Sequence, residues 1–345
     1  MNASTVGLDI GKRYFQIHAV DEVGTVVQRK TVTRGRLLQQ FRKMEPALVG
    51  IEACATGHYW ARQLKAMGHD ARLIPPTYVK PYVRRQKSDA ADAAAICEAV
   101  SRPSMRFVPI KSADQQAFRS LTRVRERLKS QKTATVNAVR GHLAEFGLVN
   151  KEGKDGLARL KACMQQADEN ALPATAKEAL QPLIAIIEEL DAKIAALNKK
   201  IEREHRANEV SRRLETIPGI GPITASTFRG AIPDPGFFKS GREFAAFIGL
   251  VPKQHSTGGK TRLGRISKQG DQRLRSLLVC DAASILRSLE RDPEKMKRNQ
   301  WIAQLLATKP RKKVIVAIAN KMARNIWAVM TKGVTYQPAS GFLSA

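Results

Sequence analysis

"TVGLDIGKRYFQIHAV", residues 5–20, decides how the first third of this chain is read. It is strand-like on both sides of a Gly11-Lys12 interruption, and "GTVVQRKTVT", residues 24–33, continues it with β-branched residues after the turn-like "DEVG". The three pieces predict a meander of strands. Working outward, "RGRLLQQFRKM" (34–44) reads as helix, "ALVGIEA" (47–53) as a buried strand, and "GHYWARQLKAMG" (57–68) as a helix closed by Gly68. "DARLIPP" (70–76) is a strand stopped by Pro75 and Pro76, and "QKSDAADAAAI" (86–96) opens an alanine-rich helix. The order β-β-β-α-β-α-β-α predicts a mixed sheet with helices on its faces.

Four carboxylates stand at informative places in that order. Asp9 lies on an apolar strand beside a glycine, where a buried carboxylate is costly unless a cation meets it. Glu52 repeats the situation at the end of a second apolar strand. Asp89 and Asp92 are three apart on one face of the helix, where like charges repel. No histidine accompanies them, and an oxygen-only ligand set suits Mg2+ or Mn2+, ions able to clamp an in-line phosphoryl transfer. A divalent cation against both residues would relieve the repulsion between Asp89 and Asp92. Each acid also has a plainer explanation: Asp9 as a turn residue, Glu52 as an edge-strand carboxylate, Asp89 as an N-terminal helix acid favoured by the dipole.

The 345 residues allow two or three domains with their own cores. The formal net charge is +28, from 59 Lys+Arg against 31 Asp+Glu, and self-repulsion of that size points to a polyanionic partner, nucleic acid first. Residues 1–101 carry +6, 102–140 carry +8, 141–238 carry −1, 239–275 carry +7 and 276–345 carry +8, so the middle of the chain has a different task. No stretch reaches eighteen uninterrupted apolar residues, no signal peptide is visible, and no basic amphipathic helix has a bulky apolar face for a membrane. The chain reads as soluble and cytoplasmic. Cys54, Cys97, Cys163 and Cys280 form no CxxC pair and are expected to be ordinary buried thiols.

Residues 114–146 are expected to form one long basic helix, with Arg123 and Arg127 on a face that is either merely solvated or tracks phosphates. A loop containing Gly153, Gly156 and Pro173 follows. Leu180, Leu183, Ile187, Leu190, Ile194, Leu197 and Ile201 then alternate in steps of three and four, which fits a coiled coil or a hairpin packing on its own domain. "LETIPGIGPITAST", from residue 214, has the form of a helix-hairpin-helix turn able to present backbone N–H groups to a phosphate. Beyond it, "QHSTGGKTRLGR" is a glycine-rich polar loop in which Ser256 is followed by Lys260, Arg262 and Arg265. Composition alone leaves two readings of Ser256: a hydroxyl that hydrogen-bonds DNA, or a nucleophile whose developing phosphate charge the cations stabilise. Ser240, its rival, is three residues before Glu243 and fits a capping box instead. Arg84, Arg85, Lys87 and Lys268 complete the set of candidate nucleic-acid-binding cations.

"GLDIGK", "GIEACATGHYW" and "KSDAADAAAICEAV" resemble the motifs of the DEDD-type insertion-sequence transposases, whose N-terminal domain is similar to RuvC-type junction resolvases of RNase H-like fold. The resemblance extends through "SMRFVPIKS", "IPGIGPITA", "FAAFIGLVPKQHSTGGK" and "RISKQGDQRLR", and so covers nearly the whole chain. It implies a RuvC-like α/β domain over residues 1–105, a basic-helix and coiled-coil oligomerisation segment over 106–210, and an all-α transposase domain over 211–345. It also implies that Asp9, Glu52, Asp89 and Asp92 are the four metal-holding acids, and that Ser256 forms a transient covalent link to DNA in the manner of serine recombinases. Further implied are target and donor DNA, a structured bridge RNA pairing with both, a dimer assembling to a tetramer, and a nucleoid-associated prokaryotic location. A metal-dependent nuclease of the Holliday-junction type, using water and leaving Ser256 idle, is the alternative, and an architectural DNA-binding protein is a third.

Overall fold

Strand β1 (Thr5–Ile10) sits at the centre of a five-stranded sheet because both its neighbours are supplied by the segments read outward from it. The computed structural model describes residues 3–83, 88–149, 156–167 and 171–337. Two compact units, Met1–Gln116 and Ala117–Ala345, divide the chain.

In the first unit β2 (Tyr14–Val20) pairs antiparallel with β1, and β3 (Val26–Thr33) antiparallel with β2. Helix α1 (Leu37–Arg42) leads to β4 (Leu48–Glu52), parallel to β1, and α2 (Gly57–Ala66) leads to β5 (Asp70–Ile74), parallel to β4. The sheet order is β3-β2-β1-β4-β5, with α3 (Pro76–Val79) and α4 (Asp89–Val100) following. This is the mixed sheet expected from the sequence. Phe15, Phe41, Trp60 and Leu64 fill one face, Phe15 meeting Trp60 edge-on at 5.1 Å. Ile74, Val79, Ile96 and Val100 fill a smaller cluster under α4.

The seating of α4 follows from two glycines. A Cβ at Gly7 would stand 2.0 Å from the Ala93 carbonyl oxygen and 2.5 Å from the Cys97 amide nitrogen. One at Gly50 would stand 2.7 Å from Val100 Cβ. Glycine at both positions lets the helix backbone lie directly on β1 and β4, and the alanine-rich sequence of α4 keeps its own face thin. The register pairs Gly7 with Gly50 and Leu8 with Ile51, so the two glycines are neighbours on adjacent strands.

In the second unit the long basic helix is α5 (Ala113–Glu145), and α7 (Ala174–Ala207) runs back along it. Arg125 Nε donates to Asn198 Oδ1 and Lys132 Nζ to Asp191 Oδ1, each at 2.5 Å, so seven residues forward on α5 are seven back on α7. Residues 156–166, read from the sequence as part of a loop, form helix α6 (Gly156–Gln166) instead. Its Leu160 and Met164 pack with Val139 and Leu143 of α5 and Leu180, Ile184 and Ile187 of α7, and that burial stabilises a helix the glycines at its start had disguised. The heptad stripe is thus covered within one chain: Leu190 and Ile194 are only 8 % and 9 % exposed.

Helix α8 (Glu209–Glu215), a tight turn and α9 (Pro222–Ala231) occupy the predicted helix-hairpin-helix. His205 at the end of α7 is clamped between Ser211 Oγ and Glu215 Oε2, both at 2.8 Å, and Ser211 meets Ser226 at 3.2 Å. Ser211 is fully buried, so this serine, histidine and carboxylate pin three helices rather than form a reachable nucleophile. Then come α10 (Gly241–Ile248), the hairpin of β6 (Pro252–Gln254) and β7 (Leu263–Ile266), α11 (Gln272–Arg291), α12 (Pro293–Arg298), α13 (Gln300–Thr308) and α14 (Arg311–Lys332). Phe228, Phe244, Leu278, Met322 and Ile326 are buried at the centre of these helices. Among the described residues no helix is long and apolar enough to cross a membrane. Of the cysteines Cys97 is buried; Cys54 and Cys280 are exposed, contrary to the expectation of buried thiols, because Cys54 lies in the connection between β4 and α2 and Cys280 falls outside the buried face of its helix.

Gly7→Ala is expected to lower stability by about 1–3 kcal/mol, since the added methyl must displace helix backbone. Urea unfolding of the variant beside the unsubstituted protein measures the difference.

Candidate active site

Asp9 is two residues beyond Gly7 on β1, and Glu52 two beyond Gly50 on β4. Because side chains alternate along a strand, both acids share the face on which α4 lies, at the ends of adjacent parallel strands. Helix α4 starts there: Ser88 caps it, its Oγ accepting from the Ala91 N–H at 3.2 Å, and Asp89 and Asp92 occupy its first turn. The positive end of the helix dipole offsets part of their mutual repulsion.

One carboxylate oxygen from each of Asp9, Asp89 and Asp92 lies within 4.8 Å of the others. Glu52 stands outside this trio, close enough that its charge is felt at Asp9. The Asp9 carboxyl is pushed up to about 6, by burial first and then by Asp89, Asp92 and Glu52 in that order. Among the described residues, what opposes the shift is a backbone hydrogen bond at Ile10. Three converging oxygen donors with no counter-charge among the described residues fit a hard divalent cation, which would relieve the repulsion between them. Cys97, beneath them, is pushed up to about 11 by burial and is a packed thiol rather than a ligand.

Ser256 lies on a β-hairpin rather than in a shapeless loop. The His255 N–H donates to the Arg262 carbonyl at 2.9 Å and the Lys260 N–H to the Thr257 carbonyl at 3.0 Å. Gly258 and Gly259 have φ of +53° and +73°, the two positive values that a type I′ hairpin turn requires. The Ser256 hydroxyl oxygen accepts from Gln254 Nε2 at 2.9 Å and from the Arg262 N–H at 3.3 Å. It is exposed, as are Lys260, Arg262, Arg265 and Lys268 along the same ribbon. Ser240 is indeed an N-cap, its Oγ accepting from the Glu243 N–H at 3.2 Å while Glu243 Oε2 accepts from the Lys239 N–H at 2.7 Å.

Arg123 and Arg127 are exposed on α5. Their neighbour Arg125 is buried, spending its guanidinium on Asn198 and Glu126. Arg84, Arg85 and Lys87 lie outside the described residues. Sequence reasoning passed over Arg119 and Arg273, which line a cleft in the second unit. The signal was weak, since each begins or continues an amphipathic helix and reads as an ordinary surface cation.

Residues 6–147 match the DEDD transposase family of IS110 elements, described as "Transposase", and residues 211–300 match the "Transposase IS116/IS110/IS902 family". A Pseudomonas aeruginosa protein described as "Probable family 20 transposase" is 45 % identical over 98 % of this chain and 100 % of its own length. The transposase for insertion sequence element IS1328 of Yersinia enterocolitica is 37 % identical, covering 97 % of this chain and 99 % of its own. That of IS1111A from Coxiella burnetii is 36 % identical, over 96 % and 91 %.

In chelator, Asp9→Asn should raise the melting temperature above about pH 6 and leave it unchanged below about pH 4. The sign follows from the raised carboxyl: the folded protein binds the extra proton between the unfolded value of 3.8 and about 6, so stability falls as pH rises through that window and the cost is fully present above it. Millimolar Mg2+ at pH 8 should raise the melting temperature of the unsubstituted protein and not of the variant, both read by scanning calorimetry.

Proposed function

Because the chain belongs to the IS116/IS110/IS902 transposase family, and so is an enzyme that cuts and rejoins DNA, we propose that Ser256 supplies the attacking oxygen and that Asp9, Glu52, Asp89 and Asp92 hold Mg2+ or Mn2+ for the same phosphoryl transfer. The observation that carries the proposal is the convergence of Asp9, Asp89 and Asp92 oxygens from a strand and a helix far apart in sequence. Bound there, the ion supplies positive charge that polarises a phosphate oxygen.

The Ser256 oxygen attacks phosphorus as its hydroxyl proton leaves. The P–O bond to one DNA oxygen breaks, that oxygen gains a proton, and a phosphoserine ester remains. A hydroxyl of the second strand then attacks the ester and expels Ser256, which is reprotonated. The phosphodiester energy is conserved, so no nucleotide is consumed. Two hydrogen bonds into the Ser256 oxygen hold it in place and favour its charged form, and Lys260, Arg262 and Arg265 meet the charge that builds on the phosphoryl oxygens. The acids belong to the first unit and Ser256 to the second, and we assign the three-part division at residues 105 and 210 to catalysis, assembly and serine delivery. Assembly of a dimer and then a tetramer completes the reading.

The charge of +28 and the exposed Arg123 and Arg127 support nucleic-acid contact along α5. A structured bridge RNA is the partner we assign to part of that charge, with target choice residing in the RNA. Purifying the protein from cells that carry its element and sequencing the nucleic acid that accompanies it tests this.

One observation favours a second reading, hydrolysis by water in the manner of junction resolvases. The acid trio is assembled within a single chain, whereas neither hydrogen bond of Ser256 involves a general base. Ser256→Ala separates the two. A serine nucleophile predicts loss of the trapped protein-DNA adduct and a fall in strand exchange of more than about 10³-fold; retained exchange would leave water as the attacking group.

A further inference from the structure

Arg273, the second residue of α11, has a guanidinium without a hydrogen bond. Its Nε, Nη1 and Nη2 are all buried and reach no acceptor among the described residues. The side chain is 19 % exposed, and the carboxylate oxygen facing it, Glu126 Oε1, is 3.8 Å from Nη2. That oxygen is already taken by Arg125 Nη1 at 2.5 Å. Asp271 is also committed: Oδ1 accepts from the Arg273 and Leu274 N–H groups at 2.9 and 3.4 Å, and Oδ2 from Arg119 Nη2 at 2.9 Å. Arg273 thus has an ion-pair contact with Glu126 but no hydrogen bond among the described residues, and its donors remain available.

Arg273 lies in the wall of a cleft of about 620 Å³ bounded by α5, α9 and α11. Arg119 and Arg123 share the wall, with the hydroxyls of Ser130, Thr227 and Ser276. Leaving guanidinium donors buried and unpaired is costly, and the cost is recovered when an acceptor with matching fork geometry enters. A tetrahedral phosphodiester, whose two non-bridging oxygens share one negative charge, is that acceptor for arginine. The start of the twenty-residue helix α11 adds a positive potential at the same place.

We propose that this cleft is a phosphate clamp, separate from the Ser256 hairpin and the acid trio, that grips a backbone phosphodiester through Arg273, Arg119 and Arg123. It rests on the transposase reading, since a nucleic acid is what would present the phosphate. The side chain of Arg273 turns from the wall towards the phosphate on binding, and the hydroxyls donate to the remaining oxygens. DNA and RNA carry the same group, so the source is left to the measurement.

The test compares the full-length protein with Arg273→Gln and Ser276→Glu, the latter placing a negative charge in the cleft one helical turn from Arg273, where it competes with a phosphate for the guanidinium. Binding of a fluorescein-labelled DNA duplex and of a fluorescein-labelled RNA hairpin is followed by anisotropy over a series of NaCl concentrations. Each variant should lose affinity, and the slope of log K against log salt should shrink by about one for Arg273→Gln. The melting temperature of free Arg273→Gln should not fall, because the guanidinium removed is largely buried and makes no hydrogen bond; a purely structural arginine would lower it and leave the slope alone. A change confined to the duplex assigns DNA, and one confined to the hairpin assigns RNA. Slopes equal to the unsubstituted protein's for both probes would overturn the clamp and leave the catalytic reading standing. Absence of salt-dependent binding by the unsubstituted protein would overturn both.

Discussion

The close approach of one helix to two strands governs the geometry of the acid cluster. Where α4 crosses β1 and β4 there is room for no side chain on Gly7 or Gly50, so helix backbone rests on strand backbone. Everything at the acid site inherits that contact. Asp9 and Glu52 are one side-chain alternation further along the strands, and Asp89 and Asp92 are at the end of the helix that overhangs them. A bulkier residue at either glycine would lift the helix, and the carboxylates would separate before any of them was itself altered.

The trio of aspartates is unfavourable as a free-standing arrangement. Burial and like charge raise Asp9 together, and among the described residues the backbone at Ile10 and the dipole of α4 work against them. Such a cluster persists because the sheet and helix determine its geometry through packing elsewhere, with Ile74, Val79, Ile96 and Val100 holding α4 down. The packing of the surrounding core thereby offsets the repulsion within the acid cluster.

Much of this was legible in the sequence, and the reasons differ by element. The strand meander, the mixed sheet and the long α5 follow from local periodicity, which neighbours reinforced rather than overrode. Asp9, Asp89 and Asp92 were legible because acids on apolar or repelling positions demand a compensating charge. Helix α6 was not legible, since its stability comes from Leu160 and Met164 packing between α5 and α7, a fact no eleven-residue window contains. The heptad stripe was visible, but its first use, covering within its own chain, depended on α5 lying antiparallel to it. Arg125 and Arg273 failed in the same way: both look like surface cations in a basic helix, and only tertiary contacts reveal that the first is buried and the second half-buried. Ser256 was recognisable as a residue among cations, while the hairpin that carries it depended on reading Gly258-Gly259 as a turn.

That hairpin is anchored firmly at its base. The ladder continues past β6 and β7, with the Ser267 N–H donating to Val251 and the Lys268 N–H to Gly249, and Arg275 Nη1 ties the Ile248 and Gln269 carbonyls together at 2.9 and 2.8 Å. A two-stranded ribbon fixed at one end obeys parity. Lengthening the arm between the anchor and Ser256 by a single residue would turn the hydroxyl to the opposite side of the ribbon, whereas two residues would restore its side and carry it roughly 7 Å outward. Insertions and deletions in this arm should therefore come in even steps, while the tip beyond Ser256 is free of that arithmetic.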